Sequence, residues 1–124
     1  LIQLSVSASL RGAVSQKPVI FVGSSKAAIK QFTTEARRAA GWQLQAVQEG
    51  LDPDDWKPMP SIAPGVKEIR IHRPHEHRII YIAQLPEAIY VLSAFEKKTE
   101  KTLQRHLNSA RKAYAEIQRQ RKTK

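Results

Sequence analysis

The chain has 124 residues, no cysteine and a formal net charge of +10. That is the size of one domain able to bury an ordinary core, and it rules out a disulfide framework and thiolate chemistry. The longest apolar runs reach only four to five residues, far short of a membrane span, so no membrane partner is expected and a cytoplasmic home fits.

Residues 1–16, LIQLSVSASLRGAVSQ, lack the basic start and long apolar middle of a signal peptide. They read as an extension of unknown role, and residues 17–124 read as one domain. Pro18-Val-Ile-Phe-Val22 is a nearly continuous apolar run ending at Gly23, which predicts a buried strand. Ser24-Ser25 offers an N-cap for a short helix carrying Ala28, Ile29 and Phe32 on one face. Thr33-Thr34 caps a second helix, with Ala36, Ala40, Leu44 and Val47 at helical spacing until Gly50 ends it.

The next stretch, LDPDDWKPMPSIAPG, is dominated by Pro and Asp and reads as a long loop. Trp56 is expected to anchor it, and Trp42 to join the core. Three strands follow. Val66–His72 alternates, with Ile69 and Ile71 on one face and Glu68, Arg70 and His72 on the other. His77–Ala83 is apolar on both faces past its start, as a central strand is, and Ile89–Phe95 completes an antiparallel meander. Thr99 or Thr102 caps a last helix with Leu103, Leu107, Ala110, Tyr114 and Ile117 spaced 4, 3, 4 and 3 apart. The order βααβββα predicts an α+β domain, an antiparallel sheet with its helices packed on one face.

Charge is unevenly placed. Residues 97–124 hold ten Lys/Arg against Glu100 and Glu116, a net +8, whereas residues 1–96 hold eleven basic and nine acidic side chains. Such a concentration implies a polyanionic partner. The basic residues beyond Ile117 are expected to be a mobile tail.

The stretch EIRIHRPHEHRIIYI adds Arg70, His72, Arg73, His75, His77 and Arg78 on one hairpin, with Lys97 and Lys98 just past the third strand. An open sheet face bearing Arg, Lys and His with few carboxylates suits a phosphodiester. Arginine forks hold phosphate oxygens, and imidazole moves protons near neutral pH. RNA brings its own nucleophile in the 2′-hydroxyl, so cutting it needs positioning, proton transfer and charge stabilisation but no metal. The H-x-x-H-x-H pattern of His72, His75 and His77 is not read as a metal site, because these side chains need not converge on a hairpin. No cofactor is expected. Tyr81, among apolar neighbours, reads as core as well as candidate, and Glu68 reads as a salt-bridge partner of Arg70 or Lys67 as well as a proton acceptor.

The runs GVKEIRIHR, HRIIYIA and IYVLSAFEKKTEKT resemble the RelE/HigB superfamily of bacterial toxins, and the HigB-like, phage-associated branch in particular. The resemblance covers roughly residues 17–118 and rests on Glu68-Ile69-Arg70, Arg78-Ile79-Ile80-Tyr81 and Phe95-Glu96-Lys97-Lys98-Thr99-Glu100-Lys101-Thr102. It implies the toxin of a type II toxin–antitoxin pair, an endoribonuclease that cleaves mRNA in the ribosome by 2′-hydroxyl attack, without a metal. It also implies a cognate antitoxin, expected to be of helix-turn-helix type. Arg78 matches a family arginine at the scissile phosphate, Arg70 a basic position on the preceding strand, and Lys97 a site where some members carry a catalytic arginine. His72 and Tyr81 are further catalytic candidates. Lys98, Lys101, His77, Arg73 and Arg105 are candidate RNA contacts. On this reading, removing Arg78 takes away a phosphate ligand but no core volume. Two other readings stay open: a ParE-like, gyrase-inhibiting toxin of the same fold, and a noncatalytic nucleic-acid-binding module.

Overall fold

The computed structural model describes residues 16–123, so nearly all of the expected extension, and Lys124, lie outside the described residues. The elements in chain order are β1 (Val19–Phe21), α1 (Ser25–Lys30), α2 (Thr34–Gln48), β2 (Trp56–Pro58), β3 (Val66–Ile71), β4 (His77–Ile82), β5 (Ile89–Glu96) and α3 (Glu100–Lys122). They build one five-stranded sheet in the order β1-β5-β4-β3-β2. The α+β class and the order of the expected elements hold.

The helix ends follow their sequence signals. Thr33 accepts a hydrogen bond from the Ala36 amide at 3.2 Å, and Thr99 accepts one from the Thr102 amide at 3.1 Å. Each satisfies one of the donors a helix start leaves unpaired. Gly50 ends α2 with φ +85°, the left-handed conformation that lets the Gly50 and Leu51 amides turn back onto the Val47 and Ala46 carbonyls. Ser24 stands before α1 but makes no side-chain cap.

Several features differ from expectation. Pro58 and Trp56 belong to a strand: β2 pairs antiparallel with β3, Trp56 opposite Ile69 and Pro58 opposite Lys67. A proline that lacks an amide donor is tolerated there because β2 is an edge. Lys67 Nζ lies 4.4 Å from the Trp56 ring centroid and ties the edge down. β1 is likewise an edge rather than a buried strand, pairing parallel with β5 and leaving Ile20 exposed, so the sheet is mixed.

Helices also cover both faces. Ile29, Ala36, Ala40 and Leu44 of α1 and α2 pack with Ile69, Ile79, Tyr81 and Val91. Leu107, Ala110 and Ile117 of α3, together with Met59 and Ala63, pack with Val66, Ile80, Ile82, Leu92 and Phe95. The reason is in β4. Its apolar residues alternate to both sides, and a strand apolar on both sides needs cover on both. A register shift at Ile80/Tyr81 leaves Leu92 without a partner on β4 and lets it point into the second core.

Trp42 does not join the core. It is 73% exposed on the outer side of α2, because the buried stripe of that helix runs through Ala36, Ala40, Leu44 and Val47. Nor do the last basic residues form a loose tail, since α3 continues to Lys122 and Arg121 Nε pairs with Glu87 Oε2 at 2.9 Å.

A pair of substitutions tests this placement. Leu44→Ala, in a fully buried position, costs about 2–5 kcal/mol of unfolding free energy. Trp42→Ala changes it by no more than about 0.5 kcal/mol despite removing a larger side chain. Urea denaturation of both variants reads the contrast, and comparable losses would overturn it.

Candidate functional site

Strand alternation puts Glu68, Arg70 and His72 on one side of β3, and the register sets Arg70 directly opposite Arg78 of β4. Two arginines facing each other across a strand pair repel. Glu68 lies between them: its Oε1 accepts from Arg70 Nε at 3.2 Å and stands 3.7 Å from Arg78 Nε. Only 3% of Glu68 is exposed, and Arg78 is 6% exposed. A charge so far removed from water persists only when paired, so these two residues hold each other in place.

The chain of charges continues through the turn. Arg78 Nη1 donates to Glu76 Oε1 at 2.7 Å. Glu76 also meets His72 Nδ1, at 3.0 Å from Oε1 and 2.9 Å from Oε2. On its far side His72 Nε2 meets Asp55 Oδ2 at 2.5 Å. Asp55 comes from the link before β2, and its carbonyl accepts from the Arg70 amide at 2.9 Å. The cluster therefore holds three cationic or nearly cationic groups and three carboxylates. Hydrogen bonds from Arg78 and then from His72 hold the Glu76 carboxyl down at about 2. His72 is shifted the other way, its pKa raised above the ordinary imidazole value by Asp55 first and Glu76 second.

The expected face with few carboxylates is thus corrected. The sequence alone does not single out Asp55 or Glu76, and Glu68 takes the salt-bridge role with Arg70. Glu76 had a local signal, four residues after His72 and two before Arg78 on a tight hairpin. Asp55 had none, since only the pairing of β2 with β3 brings it near. Arg78 is also no open phosphate ligand; it is buried and already engaged.

The other candidates divide by side. Lys97 follows β5, and its amide donates to the Glu76 carbonyl at 2.8 Å, which extends the ladder and sets Lys97 beside the cluster. Arg73 is exposed in the turn, and Lys101 is exposed in the first turn of α3. Tyr81 and His77 point to the opposite face. Tyr81 is 1% exposed in the first core, where burial pushes its phenol above the ordinary range, so its place is packing. His77 is equally buried, its ring centroid 4.5 Å from that of Phe32 and its Nδ1 2.9 Å from the His75 carbonyl. His72 and His77 therefore lie on opposite faces and do not converge. Among the described residues no group of three His, Cys, Asp or Glu side chains is placed to hold a metal ion. Lys98 and Arg105 line a separate cleft of about 340 Å³ at the open edge of β5. His106, which the sequence did not single out, stacks there on Phe95 with 4.4 Å between ring centroids.

A family model described as phage derived protein Gp49-like (DUF891) matches residues 27–115, a span that contains every candidate residue from Asp55 to Arg105. The chain belongs to this family. The Gp49-like family is of the RelE/HigB-like toxin type and is associated with the toxins of toxin–antitoxin systems, which points to a cognate antitoxin as partner. No curated protein and no solved structure matches the chain. No helix among the described residues of this Gp49-like protein is long and apolar enough to cross a membrane.

Two measurements check the cluster. Arg78→Ala strands the buried Glu68 carboxylate and lowers stability by about 3–5 kcal/mol, whereas Arg70→Ala, at the half-exposed end, costs less. Because the Glu76 pKa is depressed by folding, its contribution is present above the ordinary carboxylate range and is lost as pH falls through about 2. The stability difference between the wild type and Glu76→Gln should therefore shrink as pH drops from about 5 toward 2. A constant difference would remove Glu76 from the ion pair.

Proposed function

We propose that the chain is the toxin of a type II toxin–antitoxin pair and acts as a metal-independent endoribonuclease on mRNA in the ribosome, in the manner of the HigB-like branch. The observation that carries this reading is the meeting of Arg70, Arg78 and His72 on one face of adjacent strands, with Lys97 at the end of the next. Those residue types match the needs of phosphoryl transfer to an internal hydroxyl: cationic forks for the charge on phosphorus, and an imidazole for proton transfer. The basic α3 supports a polyanionic partner as large as a ribosome.

In this reaction the 2′ oxygen attacks phosphorus, the O2′–P bond forms, and the P–O5′ bond breaks. The 2′ proton leaves to water, and the 5′ oxygen takes one from the protein. Arg70 and Lys97 stabilise charge on the non-bridging oxygens, and Arg78, still paired with Glu68, joins them once Glu76 yields.

The test is chemical. Programmed ribosomes with the purified chain should give mRNA fragments ending in a 2′,3′-cyclic phosphate and a 5′-hydroxyl, and a chelator added at constant ribosome integrity should leave the rate unchanged. A deoxyribose at the cleaved position should block the cut. Lys97→Ala, on an exposed side chain that leaves the fold alone, should reduce turnover about 10²–10³-fold. A 5′-phosphate product would show that water, not the 2′-hydroxyl, attacks. No cleavage at all would favour the gyrase-inhibiting or noncatalytic reading.

A further inference from the structure

An imidazole that meets a carboxylate at each nitrogen carries a proton on both, because neither carboxylate has a proton to offer at neutral pH. His72 is in that position, with Asp55 Oδ2 at 2.5 Å from Nε2 and Glu76 at 2.9 Å from Nδ1. The ring is half exposed, so the arrangement stands at the surface, where a substrate reaches it. The two carboxylates are not equivalent. Asp55 is held by its own backbone, whose carbonyl takes the Arg70 amide. Glu76 lies on the hairpin turn and offers one oxygen, Oε1, to both His72 Nδ1 and Arg78 Nη1.

A carboxylate shared by an arginine fork and an imidazole sits where an oxygen pair of a phosphodiester would sit, since the two anions bind the same donors in similar geometry. We propose that Asp55 is a positioning residue that holds His72 as proton donor to the leaving 5′ oxygen, while Glu76 keeps the phosphate's seat until RNA displaces it. This deepens the ribonuclease reading and rests on it. As RNA enters, Glu76 swings off Arg78 and His72, and Asp55 keeps its hydrogen bond to Nε2. The Nδ1 proton then faces the substrate. It passes to the 5′ oxygen as the P–O5′ bond breaks, and the neutral ring regains a proton from water.

Asp55 comes from the link before β2 and Glu76 from the turn; Arg78 of β4 lies across Glu76, and Lys97 follows β5 beyond it. Both carboxylates act in one direction, keeping the imidazolium to a higher pH than a free histidine does. The donor form is thus lost only as pH rises through that raised value.

The experiment uses Asp55→Asn, which preserves shape on a partly exposed side chain. The His72 ring is titrated by NMR in the free chain, its signal assigned with His72→Gln. Saturated turnover on programmed ribosomes is followed across the same pH range. In Asp55→Asn the His72 titration should move to lower pH, the alkaline limb of turnover should move with it, and turnover above that limb should drop about 10–10²-fold. Asp55→Glu should restore much of the loss. Glu76→Gln should bind an all-deoxy analogue of the mRNA several-fold tighter than the wild type. A titration that moves while the limb stays still overturns His72 as donor and leaves the ribonuclease reading intact. Weaker binding by Glu76→Gln overturns the seat exchange. A wild-type chain that cuts no mRNA overturns both readings together.

Discussion

The buried Glu68 carboxylate between Arg70 and Arg78 is the constraint on which the rest of the site depends. Adjacent strands in register bring two guanidinium groups face to face, and without an anion between them the hairpin would carry unpaired charge in a poorly solvated place. With its Nε beside Glu68, Arg78 turns its Nη1 to Glu76, and Glu76 in turn reaches His72. Asp55 closes the chain from a different part of the backbone. Each link is an ordinary ion pair or charge-assisted hydrogen bond; their order makes the site.

That order explains how a strongly basic protein keeps a functional face from being a bare positive surface. Half of the charge in the cluster is negative. Further exposed cationic charge is gathered elsewhere, on α3 and at Lys98. The division suits a protein that first meets a large polyanion by long-range attraction and then acts on one bond. On the proposed reading, the exposed lysines of α3 serve the encounter, and the internally neutralised cluster reacts only to a ligand that can exchange with its carboxylate.

The sheet supports this by its two-sided burial. β4 supplies Ile79 and Tyr81 to one core and Ile80 and Ile82 to the other, so the strand that carries Arg78 is clamped between helices. A charged group on such a strand has little freedom to move. The turn at 72–76 is different, being exposed at most positions, and it carries Glu76. The rigid and the adjustable members of the cluster thus sit on elements of matching character.

Local signals in the sequence determined most of the fold. The caps Thr33 and Thr99, the stop at Gly50, the alternation of β3 and the stripe of α3 can each be read within one or two turns, because capping, φ preference and amphipathic period are properties of neighbours in the chain. So can the presence of Arg70, His72 and Arg78 on one hairpin, and the candidate chemistry they suggest. Their partners were harder to read. Asp55 meets His72 only because β2 docks on the edge of β3, and a three-residue strand inside a run of Pro and Asp has no periodicity to announce it. Tyr81 and His77 share the hairpin with the arginines but fall on its other side, a matter of which core each face meets. Trp42 looked like core by its size, yet the α2 stripe that faces the sheet passes it by. Residue types and their local order were written in the chain. Which charges neutralise one another was decided by strand register and edge pairing, because those depend on residues far apart in sequence.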